Sequence, residues 1–146
     1  MDSNQEGNIN QKAVELELEK LGALVYNKSG EGGKVDFLFT FDYKKWYRIQ
    51  SKKASIYPSR SKGTLWIKSI GHTRKDQKLI SYDYVGVVDF ISGYYAALDK
   101  CYLIPIDKVG KRGITLRLLP TKNGQKKGIN WAKDFELEKI IESLRS

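Results

Sequence analysis

Three polar side chains interrupt a stretch that otherwise reads as two apolar strands. In 35–53, VDFLFTFDYKKWYRIQSKK, Asp36 opens the first strand, while Gln50 and Lys52 stand near the end of the second. Side chains alternate across a strand, so Trp46, Arg48, Gln50 and Lys52 share one side and Tyr47, Ile49 and Ser51 the other. A turn around 42–45 folds the strands together, and Asp36 converges with Gln50 and Lys52 where register and face agree. A carboxylate, an amide oxygen and an ammonium suit phosphodiester hydrolysis. A hard cation such as Mg²⁺ takes carboxylate and amide oxygens together with phosphate and water. A nearby lysine positions water or offsets charge at the phosphate. Taken singly, each residue has an ordinary role: Asp36 a turn or cap, Gln50 a solvent-facing strand residue, Lys52 a surface charge. The spacing recurs by chance in chains of this length and gains weight only from the elements around it.

Those elements read as helix, strands, helix. Val14, Leu18 and Leu21 lie at i, i+4 and i+7 and predict a helix over 10–21, capped by Asn8 or Asn10 and ended by Gly22. Extending the apolar stripe back three residues reaches Gln11, a polar side chain on the face that packs on the sheet. Glu15 is about 40° round the helix from it and borders the same spot. Strands follow at 24–26, 35–41, 46–56 and 64–70. The stretch 71–82 reads as a polar, basic loop or short helix. Further strands are expected at 85–95, 101–106 and 113–119, then a closing helix over 134–144. The order indicates an α+β or mixed α/β fold, with 1–146 as one domain.

Charge adds a partner. The chain is +9 overall, yet 52–78 alone is +7 and 108–133 is +8 with no acid, leaving the remainder at −6. Segregation of this kind favours a polyanion, and interleaved aromatics and turn residues place nucleic acid ahead of a solvated basic surface without a partner; a membrane is weaker still, since no amphipathic basic helix stands out. Lys53, Arg60, Lys62, Lys68, Arg74 and Lys75 in the first segment, and Lys111, Arg112 and Arg117 in the second, are the candidate contacts to phosphates and base edges. No apolar run suits a membrane span, and the polar start MDSNQEGNIN lacks a signal peptide's apolar core. A single cysteine, Cys101 in an apolar run, excludes disulfide bracing and fits a small buried residue in a reducing cytoplasmic setting. His72 has no Cys/His cluster for zinc. Gly30, Gly32 and Gly33 resemble a phosphate cradle without the lysine of a P-loop, and Asp83 and Asp89 read as hydrogen-bonded acids beside strands.

The pieces resemble the PD-(D/E)XK nuclease superfamily, with Val35-Asp36 as its PD element and Gln50-Ser51-Lys52 as its (D/E)XK element. GNINQKAVELELEKLG, VVDFISGYY and CYLIP are similar to segments of its cyanobacterial group I intron homing endonuclease branch. The resemblance implies a restriction-endonuclease-like core, a mixed β-sheet flanked by helices, acting as a sequence-specific, Mg²⁺-dependent endonuclease on double-stranded DNA. It further implies a metal held by Asp36, the Gln50 amide oxygen and position 11, with Lys52 at the scissile phosphate. Gln50 stands where most of the superfamily carries an acid, and that branch tolerates glutamine there. Gln11 stands where these nucleases carry a metal-binding glutamate. Either Gln11 is native, leaving Asp36 as the firm anionic ligand, or it replaces a glutamate and traps an uncleaved complex; Glu15 is the rescue candidate. A domain this size is expected to act on a near-palindromic site as a homo-oligomer, a dimer or a tetramer. A Holliday-junction or repair nuclease of the same superfamily, or a non-catalytic DNA-binding protein with a decayed site, are the alternatives.

Overall fold

A computed structural model describes residues 2–29, 33–57, 63–75, 78–82, 84–120, 124 and 127–146, with the backbone alone for 71–75 and 78–82. Helix α1 spans Ser3–Lys20, a full turn and more beyond the expected start. Its cap is Asp2. The Asp2 carboxylate accepts from the Gln5 backbone N–H at 2.8 Å, and Gln5 Oε1 accepts from the Asp2 N–H at 3.0 Å. This reciprocal box satisfies two donors that any helix leaves open, which is why polar 3–9 is helical without an apolar stripe. Gly22, at φ +94°, turns the chain out of the helix.

Among the described residues nine strands follow: β1 Leu24–Asn27, β2 Phe37–Thr40, β3 Trp46–Ile56, β4 Thr64–Lys68, β5 Gly71–Lys75, β6 Lys78–Tyr82, β7 Phe90–Tyr95, β8 Lys100–Pro105 and β9 Gly113–Arg117. A short 3₁₀ turn at Ala132–Phe135 leads into α2, Leu137–Arg145. The expected loop or helix at 71–82 is instead the antiparallel β5–β6 hairpin. Its backbone hydrogen bonds need no apolar alternation, so composition gave no sign of it. The apolar run at 85–95 divides into a turn and the shorter β7, because Gly86, at φ +78°, supplies the conformation a turn needs. Among the described residues no helix is long and apolar enough to cross a membrane.

Strand β3 is the axis. One of its edges takes β2 along its first half and β4 along its last three residues; the other takes β7, in parallel. With β1 outside β2, β9 outside β4 and β8 outside β7, this makes a seven-stranded mixed sheet. Alternation sorts its side chains into two cores. On one face Phe37, Phe39, Ile49, Phe90 and Leu103 pack under Val14 and Leu18 of α1 and Leu137 and Ile141 of α2. On the other, Ile91, Tyr102 and Ile104 meet Ala54, Leu65 and Ile67 from the β3–β4 corner, Ile114 and Leu116 from β9, and Tyr84.

Gly93 of β7, the register partner of Lys52, lies where β7 presses against the β3–β4 corner. A Cβ built there would sit 2.6 Å from the end of the fully buried Ile67 side chain and 3.1 Å from its Cγ1. Gly93→Ala is expected to lower stability by about 1–3 kcal/mol through overpacking. Urea denaturation of the variant measures it, and unchanged stability would show that Ile67 has room to give.

Candidate active site

The site forms where β2 and β4 leave part of the β3 edge uncovered. Ile49, Ser51 and Tyr57, spaced by even numbers of residues, turn their backbone groups to that edge. The Asp36 N–H donates to Ile49 O at 2.8 Å, and the Tyr57 N–H donates to Thr64 O at 3.0 Å. Between these contacts, among the described residues, the Ser51 N–H has no strand opposite it. Asp36, one residue ahead of β2, supplies the acceptor: its Oδ2 takes that N–H at 2.8 Å. With Phe37 opposite Ile49, Asp36 falls opposite Gln50, on the same sheet face as Gln50 and Lys52.

Two more groups complete the face. The Gln50 side chain is buried, and among the described residues its Oε1 has no hydrogen-bond partner. Lys52 extends over Tyr84. Its ammonium donates to the Tyr84 hydroxyl at 3.1 Å and lies 5.0 Å from the ring centroid. Burial pushes the Lys52 pKa down, Asp36 draws it back up, and Lys68 adds to the fall. Arg48, two residues before Gln50 on this face, holds the segment that carries Tyr84. Asp89 Oδ2 accepts from the Arg48 backbone N–H at 2.7 Å, and Asp89 Oδ1 accepts from the guanidinium at 3.1 Å. The guanidinium also reaches Gly86 O at 3.3 Å. Asp89 is thus a strand-side hydrogen-bonded acid.

Helix α1 approaches from the end of β1. Glu15 is only 4% exposed, and its charge acts on Asp36. Gln11, one turn earlier, is half-buried, and its amide donates to Asn27. Among the described residues no three His, Cys, Asp or Glu side chains gather into a metal-binding cluster. A cation here would rest on two carboxylates, Asp36 and Glu15, and the Gln50 amide oxygen. The donor set fits: all are hard oxygens, and Glu15 Oε2 and Gln50 Oε1 are buried without a hydrogen bond.

The candidate DNA contacts separate into groups. Lys68 is exposed, close enough to Lys52 to weigh on its protonation. Lys111 and Arg112 are exposed in the loop entering β9, which is pinned beside Lys68 by the Ser69 N–H donating to Arg112 O at 2.9 Å and the Ser69 hydroxyl donating to Gly110 O at 3.0 Å. Lys53 faces the other way and pairs with Glu6 of α1 at 2.6 Å. Arg117 turns onto its own scaffold, donating to Thr64 Oγ1 at 2.8 Å, Pro120 O at 3.0 Å and Leu119 O at 3.2 Å. Arg60 and Lys62 lie outside the described residues, as do Gly30, Gly32 and Asp83. Arg74, Lys75 and His72 are placed on β5 by their backbone only. Burial pushes the Cys101 thiol up to about 12, which suits packing rather than nucleophilic work. Sequence reasoning passed over Tyr84 and Asn27. A lone tyrosine before a glycine turn and an asparagine ending a strand carry no local mark of their partners.

Burial raises the Asp36 pKa; the Ser51 N–H, Lys52 and Lys28 act against the rise, and Glu15 adds to it. A folded-state pKa above the unfolded one means that the folded chain holds the proton more tightly. The associated stability is present below the unfolded value and is lost as pH rises through the folded one. Asp36→Asn keeps an acceptor for Ser51 and removes the buried charge. It is expected to melt higher than the parent at about pH 7 in metal-free buffer, with the gap closing below about pH 4. A variant that melts lower at neutral pH would show that the charged contact to Ser51 outweighs burial.

Comparison with curated proteins gave no match. Among solved structures, the bacterial homing endonuclease I-Ssp6803I is similar in fold, with a TM-score of 0.74 at 17% identity over 99% of this chain and 95% of that one. The mixed seven-stranded sheet with its two helices is thereby a restriction-endonuclease-like fold. A profile described as PD-(D/E)XK endonuclease matches residues 1–138, and this chain belongs to that family.

Proposed function

We propose that this endonuclease hydrolyses double-stranded DNA at specific sequences, in the manner of a homing endonuclease, using a divalent cation with Mg²⁺ as the first choice. The observation that carries the proposal is the shared face of Asp36, Gln50 and Lys52 at an uncovered strand edge, beside the exposed cations Lys68, Lys111 and Arg112. The named neighbour, described as a homing endonuclease, supports the type of enzyme.

Asp36, Glu15 and the Gln50 amide oxygen are the residues that would hold the cation. When bound, such a cation polarises the scissile phosphate and makes a water nucleophilic near neutral pH. The chain's own part is positional and electrostatic. Lys52 brings a positive charge to the face where negative charge grows on the phosphate oxygens, and a half-buried charge is screened less there than at the surface. Tyr84 holds that ammonium by its hydroxyl and its ring face, and Arg48 with Asp89 holds the segment carrying Tyr84. Lys68, Lys111 and Arg112 would hold the duplex backbone across the site. Two copies of the chain would give the symmetry that a near-palindromic target calls for.

Cleavage mapping on a random linear duplex library, with Mg²⁺, with Ca²⁺ and with chelator, tests this directly. Discrete cuts that need Mg²⁺ are expected. Cutting only of four-way junctions would assign a junction nuclease, and binding without cutting under any metal would assign a decayed site. Lys52→Ala should lower the cleavage rate about 10²–10³-fold with duplex affinity nearly kept. Tyr84→Phe should cost about tenfold, the value of one hydrogen bond to a charged group. Equal losses of rate and affinity for Lys52→Ala would remove its catalytic role. In binding titrations against salt, Lys68→Ala or Arg112→Ala should reduce the slope by about one, whereas Arg117→Ala should leave the slope and lower stability instead. A reduced slope for Arg117→Ala would return that residue to the DNA interface.

A further inference from the structure

Asn27 closes β1, opposite the helix face that carries Gln11 and Glu15 one turn apart. Its two amide ends are used in opposite senses. Asn27 Oδ1 accepts from Gln11 Nε2 at 3.0 Å, and Asn27 Nδ2 donates to Glu15 Oε1 at 2.6 Å. The direction of the chain is set by Glu15, since a buried carboxylate accepts and never donates. Asn27 must therefore turn its N–H to Glu15 and its carbonyl to position 11, so position 11 must offer a donor. Glutamine does so. A glutamate there would set a second carboxylate against the same amide and face the Asn27 carbonyl with charge of the wrong sign.

Among the described residues the other oxygen, Glu15 Oε2, is buried and takes no hydrogen bond. The Lys12 ammonium lies 3.7 Å away on a side chain 72% exposed, which is a charge contact with a solvated partner. One Glu15 oxygen is thus fixed by Asn27 while the other is left open, on a residue whose charge reaches Asp36. An anchored oxygen beside an available one is an arrangement by which an outer partner orients a carboxylate toward a cation.

We propose that Gln11 and Asn27 form an amide relay that holds Glu15 as the second carboxylate of the site, so that Gln11 is a positioning residue rather than a metal ligand. The proposal rests on the metal-dependent reading above and deepens it. A glutamine at position 11 is then neither a decayed ligand nor a block on activity. Position 15 supplies the helix carboxylate from one turn further along, and position 11 supplies the donor that orients it.

Binding of Mn²⁺ alone, without DNA, tests this by titration calorimetry or by loss of the free-ion electron paramagnetic resonance signal. Asp36→Asn and Glu15→Gln should each abolish measurable binding. Asn27→Ala and Gln11→Met, which remove the relay while leaving exposed or half-buried positions filled, should weaken binding about 10–100-fold. Gln11→Glu should bind no more tightly than the parent. Tighter binding by Gln11→Glu, with Glu15→Gln unchanged, would make position 11 the ligand site and overturn the relay. Loss of binding in Asp36→Asn with Glu15→Gln and Asn27→Ala like the parent would overturn the relay alone. Parent-like binding in Asp36→Asn would remove the metal reading itself and the relay with it. Circular dichroism melts of each variant separate loss of binding from loss of fold.

Discussion

A backbone N–H without a strand partner among the described residues organises this molecule. Between β2 and β4, the Ser51 amide points to an edge that no strand covers, and a buried donor without an acceptor costs on the order of 1–3 kcal/mol. The Asp36 carboxylate meets that need. In doing so it is carried beside Gln50 and Lys52, where burial disfavours its charge. The fold therefore places an acid where, among the described residues, the β3 edge is uncovered, and a phosphate reaching that opening would meet it. Tyr84, tied down through Arg48 and Asp89, serves the same arrangement from the opposite side of Lys52.

The distribution of cations follows from what each must also do for the fold. Lys68, Lys111 and Arg112 stand at one end of the β4–β9 pair, all exposed, with Lys68 near Lys52 and the 110–112 loop pinned beside Lys68. Arg117, one strand-length away, is used internally: its guanidinium satisfies two backbone carbonyls and the Thr64 hydroxyl. Lys53 alternates onto the helix face and finds Glu6 there. Net charge alone would have counted all of these equally. Only the position of each on its strand tells a cation that can meet a phosphate from one that braces the scaffold.

Much of the site was legible because a two-residue period is rigid. Once β3 was recognised, its alternation placed Gln50 with Lys52, and the hairpin let Asp36 converge with them on condition of register and face, which the structure supplies; the strand bounds at 46 and 56 agree with the structure. Position 11 was legible only as an intrusion on a helical stripe. The angle between positions 11 and 15 is about 40°, too small to decide from the sequence which one faces inward. Asn27 decides it, through contacts 16 and 12 residues away in sequence. The β5–β6 hairpin went unread for the opposite reason. Its pairing is local, but the basic residues of 71–78 show none of the apolar alternation by which strands are recognised. Tyr84 depends on a contact with Lys52, 32 residues earlier, which no local pattern encodes.

The most direct test of this account is anomalous scattering from crystals of the unsubstituted chain grown with Mn²⁺. The account places an anomalous peak within coordination distance of Asp36, Glu15 and Gln50 Oε1, with Gln11 still donating to Asn27. A peak ligated by Gln11 with Glu15 outside its reach would contradict it, as would an ordered Asp36 and Glu15 with no metal between them at saturating Mn²⁺.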